Sequence, residues 1–421
     1  MKLMKGRSAR RPAAVLTAGV LLLLSACAVG GSNGNSSGSG GSCGKFDSAL
    51  LTNRPVPQSL DPSTVTPLSS QVAVNNTADR MGAPQKLVAA SWSDVKVTPA
   101  QVKQICGKHL TAVFLDWSNV TYNKAIDSGI RQELEGLGIK LLRITDSEFS
   151  PTGLQGDLNA VLPLNPDIIL VGGTINPSQM SSILSPAVAK HKIIVSWGDA
   201  GPGLFIGPGK QLSGLIAYDW YYLGEQMAQA IHQAYPHGAN LGYIHWVNDV
   251  DAILLREQGL LDGLKRYPNI HVIAAGGTAS PSGSNSGFSD PNNAEAYTEA
   301  FLQAHKNVNV IFAPWENPPG LGEAAAIKAL HLQNKVSLVT MDLAEAGATS
   351  LIHHGLIKVD MAQDVYDGGR MMALTAGLAA IHASYHPFVN VPTFAATSNN
   401  VTTAWNFMHG PQLTCKPSVC G

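Results

Sequence analysis

Tryptophans and hydrogen-bonding side chains recur at the ends of apolar, strand-sized runs in this sequence. Four of its seven tryptophans do so, namely Trp117, Trp197, Trp246 and Trp315. Tryptophan offers a flat, rigid face that stacks on sugar rings or encloses cations. Nearby carboxylates and amides can bind ligand hydroxyls, and they are Asp199, Asn248, Glu316, Asp342 and Gln363. We therefore expect a shared binding cleft, although a strand-end tryptophan can also simply cap the apolar core.

No catalytic, metal or cofactor signature accompanies these residues. The chain has no GxSxG or HExxH motif, and GPGK at 207–210 lacks the first glycine and the Ser/Thr of a phosphate-binding loop. LVGGTIN lacks the dinucleotide-binding GxGxxG pattern. The pairs His353/His354 and His382/His386 have no third ligand at suitable spacing. We predict a protein without metal or cofactor, not an enzyme; a carboxylate pair, Asp199 and Glu316, keeps a glycan-acting enzyme open as an alternative.

The elements that position the cleft follow from the hydrophobic pattern beyond Leu110. Strand-sized apolar runs alternate with helix-period segments, which indicates parallel sheets covered by helices on both faces. The expected helices cover 122–137, 153–162, 178–190, 213–234, 252–267, 293–306, 321–332, 344–354 and 366–384. The alternation pauses near 198–214 and falls into two similar halves, so two doubly wound lobes are favoured over an eight-fold barrel. Ligands bind such sheets at the carboxyl ends of the strands.

The N-terminus has the pattern of an export signal. Lys2, Lys5 and several arginines precede an apolar run that ends in LLLLSAC at Cys27. This run is too short to span a bilayer. It resembles the lipobox of bacterial lipoproteins, which implies a signal peptide over 1–26, a lipid on Cys27 and an extracytoplasmic protein; ordinary secretion with an incidental cysteine is the alternative. Residues 27–44 form a Gly/Ser tether, and 45–107 read as an irregular N-terminal extension with a short helix at Thr98–Pro99.

The remaining four cysteines favour disulfides in an exported protein. Three connectivities are possible. Cys415 and Cys420 would close a short C-terminal loop, which leaves Cys43 to pair with Cys106.

Charge excludes one class of partner. The chain has 28 basic and 29 acidic residues, a formal net charge of −1, and no basic run after the signal. Nucleic-acid binding therefore has no electrostatic basis.

From Leu110 to Ala404 the sequence resembles the type I periplasmic substrate-binding proteins, the ribose-binding-like group that serves sugar ABC importers. The most specific stretches are NVIFAPWENPPGLGEAAAIKAL, SLVTMD and KVDMAQDVYDGGR. In that family the aspartate and glutamine matching Asp342 and Gln363 contact the sugar. The aromatic residue after the first strand matches Tyr122 approximately, with Trp117 and Asn119 nearby.

The chain departs from the family where two arginines normally grip the sugar. Trp197-Gly198 followed by Asp199 replaces an Asp-Arg pair, and Leu254 stands where the second arginine is expected. Arg256, two residues on, is expected to serve helix–sheet packing. Losing bidentate arginines puts a simple pentose in doubt and opens oligosaccharides, polyols or amines as ligands.

The resemblance implies an α/β protein of two parallel-sheet lobes joined by a multi-strand hinge. Lobe one is expected at 108–218 plus 364–395, and lobe two at 219–363 plus 396–421. The implied function is a monomeric receptor that captures a small carbohydrate or polyol by hinge closure and delivers it to ABC permease subunits. A lipoprotein that senses a ligand and signals to a membrane kinase or chemoreceptor is the other alternative.

Overall fold

The computed structural model describes residues 54–60, 87–173, 177–198, 200–246, 251–275, 288 and 290–411. The predicted signal peptide, tether and lipid-bearing cysteine lie outside these residues, as do two predicted ligand contacts and three predicted disulfide cysteines: Cys27, Cys43, Asp199, Asn248, Cys415 and Cys420. Within this described part of the chain, no helix is both long and apolar enough to cross a membrane.

Thirteen described strands form two separate sheets. In chain order they are β1 (Ala90–Ser91), β2 (Thr111–Asp116), β3 (Lys140–Asp146), β4 (Ile168–Val171), β5 (Ile193–Trp197), β6 (Gly214–Ala217), β7 (Ala239–Ile244), β8 (Ile270–Ala275), β9 (Val310–Phe312), β10 (Ser337–Met341), β11 (Ile357–Gln363), β12 (Phe388–Asn390) and β13 (Thr393–Ala396). The first sheet has the order β1-β12-β6-β5-β4-β2-β3 and is parallel throughout. The second has the order β13-β11-β10-β9-β7-β8, and only β13 is antiparallel. The two-sheet α/β fold is confirmed, and an eight-fold barrel is excluded.

Eleven described α-helices cover the faces of these sheets. They are α1 (Pro99–Cys106), α2 (Thr121–Gly136), α3 (Pro151–Val161), α4 (Met180–Ala189), α5 (Trp220–Ala234), α6 (Asp251–Leu264), α7 (Ala294–Ala304), α8 (Leu321–Ala329), α9 (Glu345–Ile352), α10 (Val365–Ala380) and α11 (Val401–His409). The strands they cover are apolar and buried on both faces, as in β4, where every residue is buried.

The expected helix over 213–234 is wrong in its first turn. Gly214–Ala217 is instead a buried strand, β6, that pairs with β5 and β12. Periodicity alone does not separate a four-residue apolar strand from a buried helical turn. Helix α5 begins only at Trp220, because Asp219 is its N-cap and accepts a hydrogen bond from the Tyr222 N–H at 2.9 Å.

Among the described residues from β1 to β13, the chain passes between the two sheets three times. The first passage, Tyr218–Asp219, connects β6 to α5, and the second, Asp364, connects β11 to α10. The third lies at Val391–Pro392, because β13 already pairs with β11 from Thr393 onward. This is slightly before residue 395, where the resemblance implies that the second segment of lobe one ends. These three passages form the hinge of the molecule.

Glycines let one helix pair in each lobe pack with backbones almost in contact. Helix α2 packs against α10, and α5 packs against α6. A Cβ atom added to Gly129 would lie 2.0 Å from the Tyr366 carbonyl oxygen, and one added to Gly259 would lie 1.9 Å from that of Tyr221. Both pairs flank the hinge, so they fix the start of α10 and of α5.

The N-terminal extension joins the folded body at two places. Strand β1 adds to the edge of the first sheet beside β12, and α1 follows a capping box formed by Thr98 and Gln101. Further back, Arg54 reaches the hinge, where its side chain binds Asp364 and Asp367. Cys106, at the end of α1, is disulfide-bonded. Its predicted pairing with Cys43 stays a prediction.

Candidate functional site

Five polar side chains meet where the carboxyl ends of both sheets face the hinge. Tyr122 lies in the first turn of α2, and Tyr218 directly follows β6, so both belong to the first-sheet side. Arg256 lies in α6, and Asp342 directly follows β10, so both belong to the second-sheet side. Gln363 ends β11 immediately before the second hinge passage. We call these five residues the cleft cluster.

The cleft cluster is a continuous hydrogen-bond network across the two lobes. The Arg256 guanidinium forms an ion pair with Asp342 Oδ1 at 2.8 Å, and it also donates to the Tyr218 hydroxyl. The Gln363 amide donates to the same Asp342 oxygen at 3.1 Å. Tyr122 hydrogen-bonds with both Gln363 and Tyr218. Side chains of the two lobes are therefore in direct contact.

The environment of the cluster strengthens these interactions. Burial raises the pKa of Tyr122 and of Tyr218, so both hydroxyls stay protonated and able to donate. Burial by itself lowers the pKa of Arg256, but the Asp342 carboxylate outweighs it and the net pKa is raised. Arg256 is therefore a permanent cation inside a largely desolvated site.

Two buried polar atoms of the cluster keep unused hydrogen-bonding capacity. Arg256 Nε and Gln363 Oε1 have no hydrogen-bond partner among the described residues. Buried polar groups are nearly always paired, and an unpaired one costs about 1–3 kcal/mol. A donor and an acceptor left free in this way match the hydroxyl groups of a polyhydroxylated ligand.

The expectation that Arg256 serves helix–sheet packing is wrong. Besides its contacts in the cluster, its Nη1 donates to the Pro314 carbonyl at 3.0 Å, which aims the guanidinium toward the strand ends. Arg256 lies two residues, or about half a helical turn, beyond Leu254, where the resemblance leads us to expect an arginine. No sequence signal indicated Tyr218, because the expected helix over 213–234 covers it and the strand that ends before it.

Three of the predicted contacts of lobe one lie at the rim or beneath it. Trp117 is half-buried after β2 and contacts Phe149 edge-to-face, with ring centroids 5.5 Å apart. Asn119, two residues on, is exposed. Trp197 is only 3% exposed; it packs below Tyr218 at 6.2 Å and against the backbone of Gly368. Trp197 therefore supports the cluster from below.

The two tryptophans of lobe two belong to one aromatic group. Trp246 is 1% exposed and lies 6.1–6.3 Å from the rings of Phe288, Tyr297 and Trp315. Trp315 is half-buried, as are Phe288 and Tyr297, so it keeps accessible surface that Trp246 lacks. Trp315 is thus the better placed of the two for ligand stacking.

Glu316 does not join the cleft cluster. It is 1% exposed, and its two carboxylate oxygens accept hydrogen bonds from the backbone N–H groups of Ala344 and Gly347. A carboxylate committed to the protein backbone is not free to bind a ligand or to act on a glycosidic bond. The structure thus gives no support to the predicted ligand contact of Glu316. In the described part of the chain, no group of three or more His, Cys, Asp or Glu residues is arranged to hold a metal ion.

Comparison with known proteins agrees with this geometry. The profile of the periplasmic binding protein domain matches residues 111–382. No curated protein has a matching sequence.

Solved structures of similar fold include an ABC transporter solute-binding protein from Agrobacterium vitis bound to α-D-tagatopyranose, with 19% identity over 72% of this chain and 99% of that one and a TM-score of 0.60. An arabinose-binding protein from Geobacillus stearothermophilus shares 18% identity over 70% and 99% of the two chains, with a TM-score of 0.59. A sugar-binding protein of a Bacillus halodurans sugar ABC transporter shares 19% identity over 70% and 99%, with a TM-score of 0.57. The chain belongs to the periplasmic binding protein family, as the resemblance of its sequence implied.

Proposed function

We propose that this protein is an extracytoplasmic receptor for a sugar or sugar-like polyol, held at the membrane by a lipid on Cys27. It captures the ligand between its two lobes and delivers it to an ABC permease. The observation that carries the proposal is the cleft cluster, in which Arg256 Nε and Gln363 Oε1 keep free hydrogen-bonding capacity beside Asp342. The ligands bound by the solved proteins of similar fold support a carbohydrate.

The hydrogen-bond donors and acceptors of the cleft cluster match the hydroxyl groups of a sugar. Each sugar hydroxyl both donates and accepts, so it can accept from Arg256 Nε and donate to Asp342 or to Gln363 Oε1. Hydrogen bonds to the charged groups are worth about 1.5–3 kcal/mol each. Trp117 follows β2 of the first sheet and Trp315 follows β9 of the second, so each lobe offers a tryptophan that can cover an apolar face of the ring.

Closure of the two lobes around a ligand is expected because both lobes contribute side chains to the cleft cluster. Tyr122 and Tyr218 come from the first lobe, whereas Arg256 and Asp342 come from the second. A ligand that binds both groups favours the closed arrangement by the difference in its affinity for the two states. The hinge passages at Tyr218–Asp219 and Asp364 directly adjoin cluster residues, so closure and binding are mechanically linked.

The direct test is a thermal-shift screen of the chain without its signal peptide against tagatose, arabinose, allose, other sugars and polyols. We expect saturable stabilisation by one chemical class. No shift with any of them would contradict the proposal.

Asp342→Asn removes the charge that Arg256 binds while keeping the side-chain shape. We expect ligand affinity to fall about 10- to 100-fold, which corresponds to about 1.5–3 kcal/mol. Arg131→Met, on an exposed ion pair of α2, is the matched control and leaves affinity unchanged. Equal affinity of the Asp342 variant and the control, measured by calorimetry, would show that the ligand binds elsewhere.

The anchor and the permease need their own tests. Labelling with an alkyne fatty acid is expected to mark the wild-type protein and to leave Cys27→Ser unmarked. Deleting the protein is expected to abolish cellular uptake of the bound sugar. Unchanged uptake together with a lost transcriptional response would instead indicate the sensing alternative.

A further inference from the structure

Two buried acids lie behind the loop that carries Asp342. Glu316 is 1% exposed, and Asp360, within β11, is fully buried. Asp360 Oδ1 accepts a hydrogen bond from the Leu343 N–H at 2.9 Å. Glu316 accepts from the N–H groups of Ala344 and Gly347 at 2.8 and 2.9 Å. These two side chains thus bind three backbone groups of residues 343–347.

The two carboxyls also face each other: Asp360 Oδ2 and Glu316 Oε2 both lie within 2.5 Å of the position that a Cβ atom on Gly347 would take. Two buried carboxylates this close repel, so one of them holds a proton. Both Glu316 oxygens already accept a backbone N–H, whereas Asp360 Oδ2 has no hydrogen-bond partner among the described residues. The proton therefore belongs on Asp360 Oδ2 and is donated to Glu316. Burial raises the pKa of both carboxyls, and the charge of Glu316 raises that of Asp360 further.

The first turn of α9, directly after this loop, approaches the acid pair so closely that it needs a glycine. A Cβ atom on Gly347 would lie 2.0 Å from Asp360 Oδ2 and 2.5 Å from Glu316 Oε2. No side chain fits in that space unless the pair or the loop moves.

The loop needs this support because its backbone is strained. Asp342 has φ +102° and Leu343 has φ +41°, in the region that residues with side chains avoid. Such conformations cost about 1–3 kcal/mol each and persist only when their surroundings enforce them. Here the strained conformation directs the Asp342 carboxylate to Arg256 and Gln363.

We propose that Asp360, in its protonated form, and Glu316, in its ionised form, are positioning residues. Together they hold residues 343–347 and thereby aim Asp342 at the ligand. This proposal rests on the function proposed above. The charged groups that face the pair are Asp342, whose carboxylate raises the pKa of both acids, and Arg256, which neutralises Asp342. Glu345, in the first turn of α9, adds a further negative charge at the end of the loop.

The shared proton predicts a loss of ligand affinity as pH rises. Removing it leaves two negative charges facing each other in a buried site, and they repel. The loop is then released and Asp342 is no longer held. Because burial raises the pKa of both carboxyls, the loss occurs at a higher pH than the titration of exposed carboxyls, and we call this fall in affinity with rising pH the alkaline decline.

Two isosteric substitutions distinguish the effect of the shared proton from the effect of the side-chain hydrogen bonds to the backbone. Asp360→Asn keeps an oxygen for the Leu343 N–H and donates an amide N–H to Glu316, as the protonated acid does. We expect affinity at neutral pH within about threefold of wild type and no alkaline decline. In Glu316→Gln, one of the two positions that accept a backbone N–H carries an NH₂ group, whichever way the amide is turned. One of the hydrogen bonds to Ala344 or Gly347 is therefore lost, and we expect ligand affinity about tenfold weaker at neutral pH.

Affinity for tagatose, arabinose or allose, whichever the wild type binds most tightly, is measured from about pH 6 to about pH 10, a range that begins above the ordinary pKa values of carboxyl groups. An alkaline decline that persists unchanged in Asp360→Asn would overturn the proposal. The proposal would also be overturned if Glu316→Gln bound the sugar as tightly as the wild type at neutral pH.

Amide hydrogen exchange of Leu343, Ala344 and Gly347 provides a readout that needs no ligand. In the free proteins we expect faster exchange in Glu316→Gln than in Asp360→Asn at neutral pH, and equal rates in the two variants would refute positioning. If the wild type bound no sugar, the proposed function would fail, but the exchange data would still decide the role of the pair.

Discussion

Removing the side chain of Arg54 should destabilise the whole protein, although it lies at the start of the described chain. Its guanidinium donates to Asp364 Oδ1 at 2.8 Å, to Asp367 Oδ2 at 3.0 Å and to the Phe407 carbonyl at 2.7 Å. It also lies 4.6 Å from the centre of the Tyr366 ring. This one residue therefore joins the N-terminal extension to the hinge, to α10 and to α11.

The expected loss in the free energy of unfolding can be judged from the two buried carboxylates that Arg54→Met would leave without this arginine. Asp364 and Asp367 are both fully buried, and breaking a buried ion pair from one side costs about 3–5 kcal/mol. Two features reduce this cost. The Arg54 side chain is 26% exposed, so solvent already screens the pair. Burial and the neighbouring Asp367 charge raise the pKa of Asp364, so it can take up a proton. We expect a loss of about 2–4 kcal/mol.

Urea unfolding of Arg54→Met beside Arg131→Met measures this difference. Arg131 forms an ion pair with Asp127, but its side chain is 54% exposed, so its loss costs about 0.3–0.5 kcal/mol. Adding Asp364→Asn to Arg54→Met should recover part of the stability, because the stranded charge is removed. Equal unfolding free energies for the two single variants would refute the idea that the extension stabilises the hinge.

Two further predictions concern close packing and pH. Gly129→Ala should cost several kcal/mol, because its Cβ would lie 2.0 Å from the Tyr366 carbonyl. Gly136→Ala in the same helix meets nothing within 4 Å and should be neutral or stabilising in the same urea titration. His409 is fully buried, and burial lowers its pKa to about 4. Its stability contribution is therefore complete above the unfolded pKa of 6.5 and is lost as pH falls toward about 4, by up to about 3 kcal/mol. His409→Phe should reduce the fall in the free energy of unfolding at acid pH. An unchanged pH dependence in this variant would show that His409 does not cause that fall.

Secondary structure and fold class were predictable because both follow from local patterns. Apolar runs such as DIILVGG are buried strands, and Thr98–Pro99 starts a helix through a capping box that the residue types alone indicate. Short elements were predicted less well. Strand β6 consists of four apolar residues, and only its pairing with β5 distinguishes it from helix.

The site was predictable only in part, because a side chain's role depends on its partners. Asp342 and Gln363 follow strands in a recognisable motif, and the structure brings both into the cleft cluster. Arg256 was assigned to packing, since half a helical turn decides whether a guanidinium faces the cleft or the sheet. Glu316 was assigned to the ligand, yet it faces Asp360, which is 44 positions away in the chain.

The sequence by itself determined the alternation of strands and helices and the doubled architecture, since these depend on composition and on spacing along the chain. Its motifs also carried the resemblance to the family. Only the tertiary structure decided which polar side chains share one site. The cleft cluster joins Tyr122 to Gln363 across two lobes, and the acid pair joins Glu316, which follows β9, to Asp360 in β11, although β10 lies between these two strands. Such contacts form when distant segments are packed together, and no local pattern of residues encodes their direction.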